Sequence, residues 1–418
     1  MPDSRLKDKL YYGWVVVVIL FISGITIWGV RNSFGVFFKS IESDFGLTRA
    51  LTSAVFSTQM LFGGIFSVLS GWAFDRYGPR IILLLMGLSA GFGLLLTSQA
   101  SSSWQLFLTY SLLLAMGTGP IWIVPMSTVS RWFDKRRGLA MGIATLGVGL
   151  GPMIMAPFAT YLITNFDWRV AFIALGVIIW LVVIPLSRFL KRDPSEIGTL
   201  SHGVKSYSGD ASAKADTLQP GGLSLSQAFR TRSFWLIIFS FFLFASNFAL
   251  VLTHLVPHVT DTGFSAAQGA TVLSISGGAA VVGRILMGIV SDRFGRRLTV
   301  MVCMLLNASA MTLLLWTSDL WMFYLFAIVY GYAWGGSGPC MAALVGDTFG
   351  VGKIGSILGL MDAGFSVGAA IGPVMGGLIF DVSHSYFVAF SYGVAAMLMV
   401  TLLISLVRRE AERVAPIG

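Results

Sequence analysis

The sequence predicts an all-α polytopic membrane protein with twelve transmembrane helices arranged as two pseudo-symmetric six-helix bundles. Three observations carry that expectation. Of 418 residues, 56% are hydrophobic and only 11% are charged, a balance foreign to soluble domains. Twelve apolar stretches each approach the ~20 residues that a helix needs to cross a hydrocarbon core of roughly 30 Å. The last six stretches repeat landmarks of the first six in the same order.

The stretches fall near 12–34, 51–74, 80–98, 104–129, 138–163, 168–190, 232–259, 266–291, 297–316, 320–345, 354–380 and 385–407. Their connections are short except for 191–231, rich in Gly, Ser, Lys and Asp, which reads as a linker. The chain thus divides into an N-terminal bundle over 1–190, the linker, and a C-terminal bundle over 232–418. After the first apolar run come Arg31, Asn32 and further spans rather than a small-residue cleavage site, so the run is expected to stay as the first helix.

A net charge of +9 would suit a nucleic-acid partner, but the placement of the charge argues against one. Alternate connections hold Arg5, Lys7, Lys9, Arg76, Arg80, Arg131, Lys135, Arg136, Arg137, the linker cations, Arg293, Arg296, Arg297, Lys353, Arg408, Arg409 and Arg413. The other connections hold only Arg31, Lys39, Arg49 and Arg169. Positive residues concentrate in cytoplasmic loops, so both termini are expected in the cytoplasm of a bacterial inner-membrane protein. Arg284 is left as the one Lys or Arg expected deep inside a span. Cys303 and Cys340 fall within spans, where they are expected to pack as small apolar groups rather than to form a disulfide.

The two halves match at offsets of 217 to 221 residues. Asp44-Phe45-Gly46-Leu47-Thr48 corresponds to Asp261-Thr262-Gly263-Phe264-Ser265, with Thr48 and Ser265 suited to cap the helices that follow. Gly71 to Arg80, with Asp75, Arg76 and Gly78, corresponds to Gly288 to Arg297, with Asp292, Arg293 and Gly295. Gly119-Pro120 pairs with Gly338-Pro339, and Gly151-Pro152 with Gly372-Pro373. Two duplicated six-helix units can rock against each other. The acidic residues of the repeated G-x-x-x-D-R-x-G segment can meet the positive amino ends of helices in the opposite half. Asp75, Arg76, Arg80, Arg137, Asp292, Arg293 and Arg296 are therefore expected to latch a cytoplasmic gate.

The duplicated segment resembles the loop signature of the major facilitator superfamily. Trp132-Phe133-Asp134-Lys135-Arg136-Arg137-Gly138-Leu139-Ala140-Met141-Gly142 resembles the monocarboxylate porter signature, and Tyr12-Gly13-Trp14 is similar to that family's other signature without its acidic residue. The resemblance implies a secondary carrier of lactate- or pyruvate-like monocarboxylates, with a substrate-binding arginine at the place of Arg284. Two positions depart from the animal monocarboxylate carriers. Ala280 stands where they have an aspartate one turn before that arginine, and Asn32 stands where they have a first-span lysine.

Residue chemistry points the same way. Arg284 lies eight residues before Asp292, about 12 Å from its end of the membrane. A charge at that depth faces a cavity or a partner, and a guanidinium fork suits a carboxylate. Asp362, nine residues beyond Lys353, lies at similar depth and is expected to neutralise Arg284 in the empty carrier and to take a proton when substrate arrives. His254, near Pro257 and His258, is a second proton-handling candidate. Asn32, Asn247, Tyr332 and Phe365 are expected to line the cavity beside Arg284, with Tyr330 and Trp334 as further candidates.

Carrying a proton with an anion removes the ~2.3 kcal/mol per 100 mV that an inside-negative potential imposes on import, so proton symport is expected, in a monomer with the bilayer, a small carboxylate and a proton as partners. An oxalate/formate-type antiporter is the runner-up. A non-transporting sensor on the same fold is a more distant reading. No zinc spacing, P-loop or nucleophile elbow is present, so neither an enzyme nor a cofactor or metal site is expected.

Overall fold

The computed structural model describes residues 11–133, 137–197, 223, 225–350 and 354–408. In chain order the long helices are α1 (Tyr12–Phe45), α2 (Arg49–Phe74), α3 (Arg76–Ser98), α4 (Ser103–Val129), α5 (Ala140–Asn165), α6 (Trp168–Phe189), α7 (Arg232–Asp261), α8 (Ala266–Phe294), α9 (Arg296–Leu314), α10 (Leu320–Phe349), α11 (Ile357–Ser383) and α12 (Phe387–Ser405). Among the described residues, eleven of these are long and apolar enough to cross a membrane. The twelfth, α10, is 30 residues long, but Trp321, Tyr324, Tyr330, Tyr332 and Trp334 dilute its hydropathy. It packs against α8 and α9.

Local chemistry places the helix ends where the repeat predicts them. Thr48 accepts from the Leu51 amide at 3.2 Å, and Ser265 forms a reciprocal capping box with Gln268. Gly78 and Gly295, at matching positions of the two halves, take φ of 79° and 92°. A side chain would be strained in that left-handed region, and the helical path of the α2–α3 segment breaks at Gly78 as that of α8–α9 does at Gly295.

α1 breaks at Ser33 and resumes at Phe34, running on to Phe45. This corrects the expected first span, which ends at 34. Arg31 is consequently inside a membrane helix, not in an external loop, and Arg284 is not alone at depth.

The N-terminal bundle packs α1 on α5 and α6 on the α2–α3 hairpin, and the C-terminal bundle packs α7 on α11 and α8 on α10. Phe34, Phe37, Phe56, Tyr110 and Phe172 fill the first core, while Phe234, Met304, Met341 and Met397 lie in the second. Cys303 and Cys340 are free and buried there. The bundles meet along α2–α11, α5–α8 and α1–α7. At α5–α8 the backbones touch: a Cβ on Gly149 would lie 2.7 Å from the Gly277 carbonyl oxygen. A methyl group has no room there.

Candidate functional site

The membrane-spanning unit has two faces. The linker face carries Tyr12, Gly78, Gly295 and the helix ends Phe189 and Arg232; the far face carries Gly46, Gly263 and Asp381. Between them runs the seam of the two bundles, tied together among the described residues at the far face.

On the far face, Arg49 at the start of α2 reaches across to Asp261 at the end of α7. Its Nη1 donates to Oδ2 at 2.5 Å and its Nη2 to Oδ1 at 3.0 Å. Lys39 donates to the same carboxylate, and Glu42 lies 3.3 Å from Arg49 Nε. Asp381 of α11 accepts from the Arg49 and Ala50 amides at 3.0 and 2.9 Å. A carboxylate thus sits on the positive amino end of a helix in the opposite bundle, the device expected at the linker face but found here at the other one.

His254 lies just beneath, fully buried. Its Nε2 is 2.8 Å from the Pro373 carbonyl and 3.1 Å from Ser53 Oγ, and its Nδ1 is 3.0 Å from Tyr386 Oη. A carbonyl oxygen can only accept, so the proton belongs on Nε2, and Nδ1 accepts from Tyr386. The Tyr386 oxygen in turn accepts from Arg49 Nη1 at 2.6 Å. The chain Arg49 to Tyr386 to His254 to Pro373 therefore satisfies each group with a neutral imidazole. A proton added at Nδ1 would face a hydroxyl already committed as a donor.

Toward the linker face the described residues leave the seam open. No hydrogen bond or ion pair joins described residues of the two bundles on that side of the Arg284–Thr145 contact. A Cβ added at Gly142, Gly288, Gly338 or Gly359 would meet nothing within 4 Å. Arg76, Arg80, Asp292 and Arg293 are exposed, and Arg296 pairs within its own bundle with Asp347 at 3.2 Å. The side chains of Asp75 and Arg137 lie outside the described residues.

Arg284 projects from α8 across the seam. Its Nη1 donates to the Thr145 carbonyl of α5 at 2.7 Å, and its buried Nε has no partner. No hydrogen bond or ion pair joins Asp362 to Arg284 among the described residues, and the carboxylate lies within electrostatic range of Arg31 of α1 without a hydrogen bond or ion pair to it. Asp362 is exposed although it lies well inside α11. Arg31 donates to Met60 Sδ at 2.9 Å, lies 5.2 Å from the Trp28 ring centroid, and leaves its own buried Nε without a partner. Sequence reading missed this role because Arg31, at the outer end of the first span, was counted with the external connections. The continuing apolar run Phe34 to Phe38 was the available signal.

Above these charges a cavity of about 30 Å³ closes against the far-face seal, lined by Asn32, Phe248, Ser276, Tyr330 and Trp334 among others. Asn32 is 1% exposed, and neither its Nδ2 nor its Oδ1 has a partner. Phe248 and Trp334 stack with centroids 5.0 Å apart, and Phe365 lies beside Phe248 at 6.2 Å. Asn247 does not join them. It is turned toward α12, where its Oδ1 occupies the space that a Cβ on Gly393 would take. Successive helical positions differ by about 100°, which is why Phe248 reaches the cavity and Asn247 does not. Tyr332 packs instead against the core of the C-terminal bundle.

Comparison with known proteins agrees with this architecture. The family model described as Major Facilitator Superfamily matches residues 20–289 and 255–418. Monocarboxylate transporter 13 of Rattus norvegicus is 28% identical over 381 residues, covering 91% of this chain and 85% of that protein. An uncharacterised MFS-type transporter, YcxA, of Bacillus subtilis (strain 168) is 25% identical over 392 residues, covering 89% and 90%. Among solved structures, a bacterial homolog of the human lysosomal transporter Spinster, in an inward-facing and unoccupied conformation, superposes with a TM-score of 0.70 at 16% identity, covering 97% of this chain and 98% of that one.

Proposed function

Because the chain belongs to the Major Facilitator Superfamily, as a multi-pass membrane transporter related to the monocarboxylate transporters, we propose that it carries small monocarboxylates of the lactate or pyruvate kind together with a proton, by alternating access. One observation carries the reading. The Arg284 guanidinium stands in the seam with an unpartnered Nε and no carboxylate in ion-pair contact among the described residues. A buried cation whose only hydrogen-bond partner is a backbone carbonyl is a ready site for a carboxylate, which brings both charge and a matching pair of acceptors.

Asp362 and Arg31 supply the coupling. With Asp362 ionised, Arg31 is offset and the cavity holds one net positive charge, that of Arg284. A substrate carboxylate cancels that charge, and a proton on Asp362 frees Arg31 as a second attraction for the anion. Proton and anion then favour each other's binding. His254 couples protons to the far-face seal, since its protonation disturbs the relay from Arg49 to Pro373. Asn32 and Phe365 bound the substrate, and Tyr330 and Trp334 shape the space beside them.

The linker face is assigned to the cytoplasm by its excess of Lys and Arg, in a bacterial inner membrane, with the carrier working as a monomer. Closure of that face in the opposite state falls to Asp75, Arg76, Arg80, Arg137, Asp292, Arg293 and Arg296. The protein transports and catalyses no covalent step.

An oxalate/formate-type exchanger is the second reading, and Arg31 favours it, because a dianion wants two cations. Asp362 beside Arg31 weighs against it, since it removes one of the two charges.

The test is uptake by purified protein in liposomes. Lactate or pyruvate uptake driven by an inward proton gradient is expected, with Arg284→Ala losing it and Arg284→Lys, which keeps the charge but not the fork, retaining a minor part. Robust oxalate counterflow with no lactate uptake would install the exchanger reading instead. Uptake of neither acid by protein that remains folded would remove the carboxylate assignment.

A further inference from the structure

A second cavity, of about 700 Å³, opens at the linker face away from the seam, between the start of α9 and the ends of α10 and α12. Arg296, Arg297 and Arg408 line it, with Asp347 as the acidic residue and Leu298 and Met301 as apolar walls. Arg296 is committed: it faces Asp347 at 3.2 Å and donates to the Ala343 carbonyl at 3.2 Å. Arg297 and Arg408 are exposed, and neither guanidinium has a hydrogen bond or ion pair among the described residues. Among the described residues the lining therefore keeps two positive charges without an acidic partner in one concavity. The uncapped start of α9 at Gly295 adds amide donors to the same wall.

The surroundings identify the kind of anion. α9 packs mainly on α10 and α12, and its other side is uncovered. Phe294 and Leu298 are 63% and 52% exposed at the cavity mouth, and Val302 is 39% exposed one turn deeper along α9. A soluble phosphate would gain nothing from that apolar rim, whereas a phospholipid has a phosphodiester for the guanidinium forks and acyl chains for the exposed helix side. We propose that this cavity binds the headgroup phosphate of an anionic phospholipid from the linker-face leaflet. Its phosphate sits between Arg297 and Arg408, and its chains lie along Leu298 and Val302. The lipid would bridge α9 and α12 at the end of the C-terminal bundle, independently of the substrate cavity.

Native mass spectrometry of the full chain after detergent extraction from mixed phosphatidylglycerol and phosphatidylcholine vesicles tests this. The wild type is expected to retain phosphatidylglycerol several-fold over phosphatidylcholine. Arg297→Gln with Arg408→Gln should bring the ratio close to one. Arg297→Lys with Arg408→Lys, which keeps both charges, should preserve most of the preference and so separate loss of the site from loss of the fold. A control that removes equal charge elsewhere on the same bundle, Arg230→Gln with Arg232→Gln, should leave the ratio unchanged, and millimolar inorganic phosphate should not displace the lipid. An unchanged ratio in the Arg297/Arg408 glutamine variant overturns the proposal. So does an equal loss in the control, and displacement by inorganic phosphate would show a site for soluble anions instead.

Discussion

Arg49 and Asp261, 212 residues apart in the chain, join the two bundles through paired hydrogen bonds of 2.5 and 3.0 Å at the far face. The partner of Asp261 in the internal repeat, Asp44, makes no such bridge; it pairs with Arg169 inside its own bundle at 2.6 Å. One repeated carboxylate thus holds a bundle together and the other holds the bundles to each other. The symmetry of the sequence is broken where the carrier must choose which face to close.

Arg49→Gln should release the far face. Charge-assisted hydrogen bonds contribute about 1.5–3 kcal/mol each, so loss of the bidentate contact moves the conformational equilibrium toward far-face opening by roughly two to four orders of magnitude. A cysteine introduced at Ala50, whose amide Asp381 now covers, should become much more reactive to a membrane-impermeant thiol reagent in that background. Native Cys303 and Cys340 are buried and leave the readout clean.

Asp362→Asn should uncouple transport from pH. In the wild type, uptake falls as the pH on the loading side rises, because Asp362 must be protonated for the anion to see Arg31 uncompensated. The asparagine variant mimics the protonated form at all pH values, so its uptake should stay flat over the same range. A pH profile that still tracks the wild type would assign the proton elsewhere.

Tyr386→Phe removes the middle of the relay between Arg49 and His254. Nδ1 of His254 then has no donor facing it and is freer to take a proton. Far-face accessibility should consequently increase as pH falls, more steeply than in the wild type, in the same thiol-labelling assay.

Asn32→Leu should stabilise the empty carrier while weakening its response to substrate. Both polar atoms of the buried amide are unpartnered, and an unsatisfied buried group costs about 1–3 kcal/mol. A leucine of similar size relieves that cost. Thermal unfolding should rise by a few degrees without ligand, and the further rise on adding lactate should shrink.

Gly149→Val should wedge α5 from α8, since even a Cβ at that position would lie 2.7 Å from the Gly277 carbonyl oxygen. Overpacking of this kind costs about 1–3 kcal/mol, to be read as a lowered melting temperature and slowed uptake.

The fold was legible in local properties. Span length and the capping residues Thr48 and Ser265 each act over a few residues, and each took the structure that its chemistry predicts. The depth of Arg284 and of Asp362 followed from counting along a helix. What counting could not supply is which side chains meet across the seam. Arg31 was lost to a misjudged helix end, and Asp362 was assigned to Arg284 because their depths agree, although depth leaves the direction around the helix axis open. Asn247 and Phe248 illustrate the same point, since one residue of rotation separates a contact with Gly393 from the wall of the cavity.

The sequence by itself determined the number and order of the helices, their division into two related bundles, and the concentration of positive charge on one face, because these depend on hydropathy, capping and charge within single segments. Only the tertiary structure decided that Asp381 seals the end of α2, that Arg49 meets Asp261 across the seam, and that among the described residues the bundles are tied together at the far face and not at the linker face. Two repeated sets of charges offer a closure at either face. The choice between them depends on contacts between residues hundreds of positions apart, whose free energies no single segment contains.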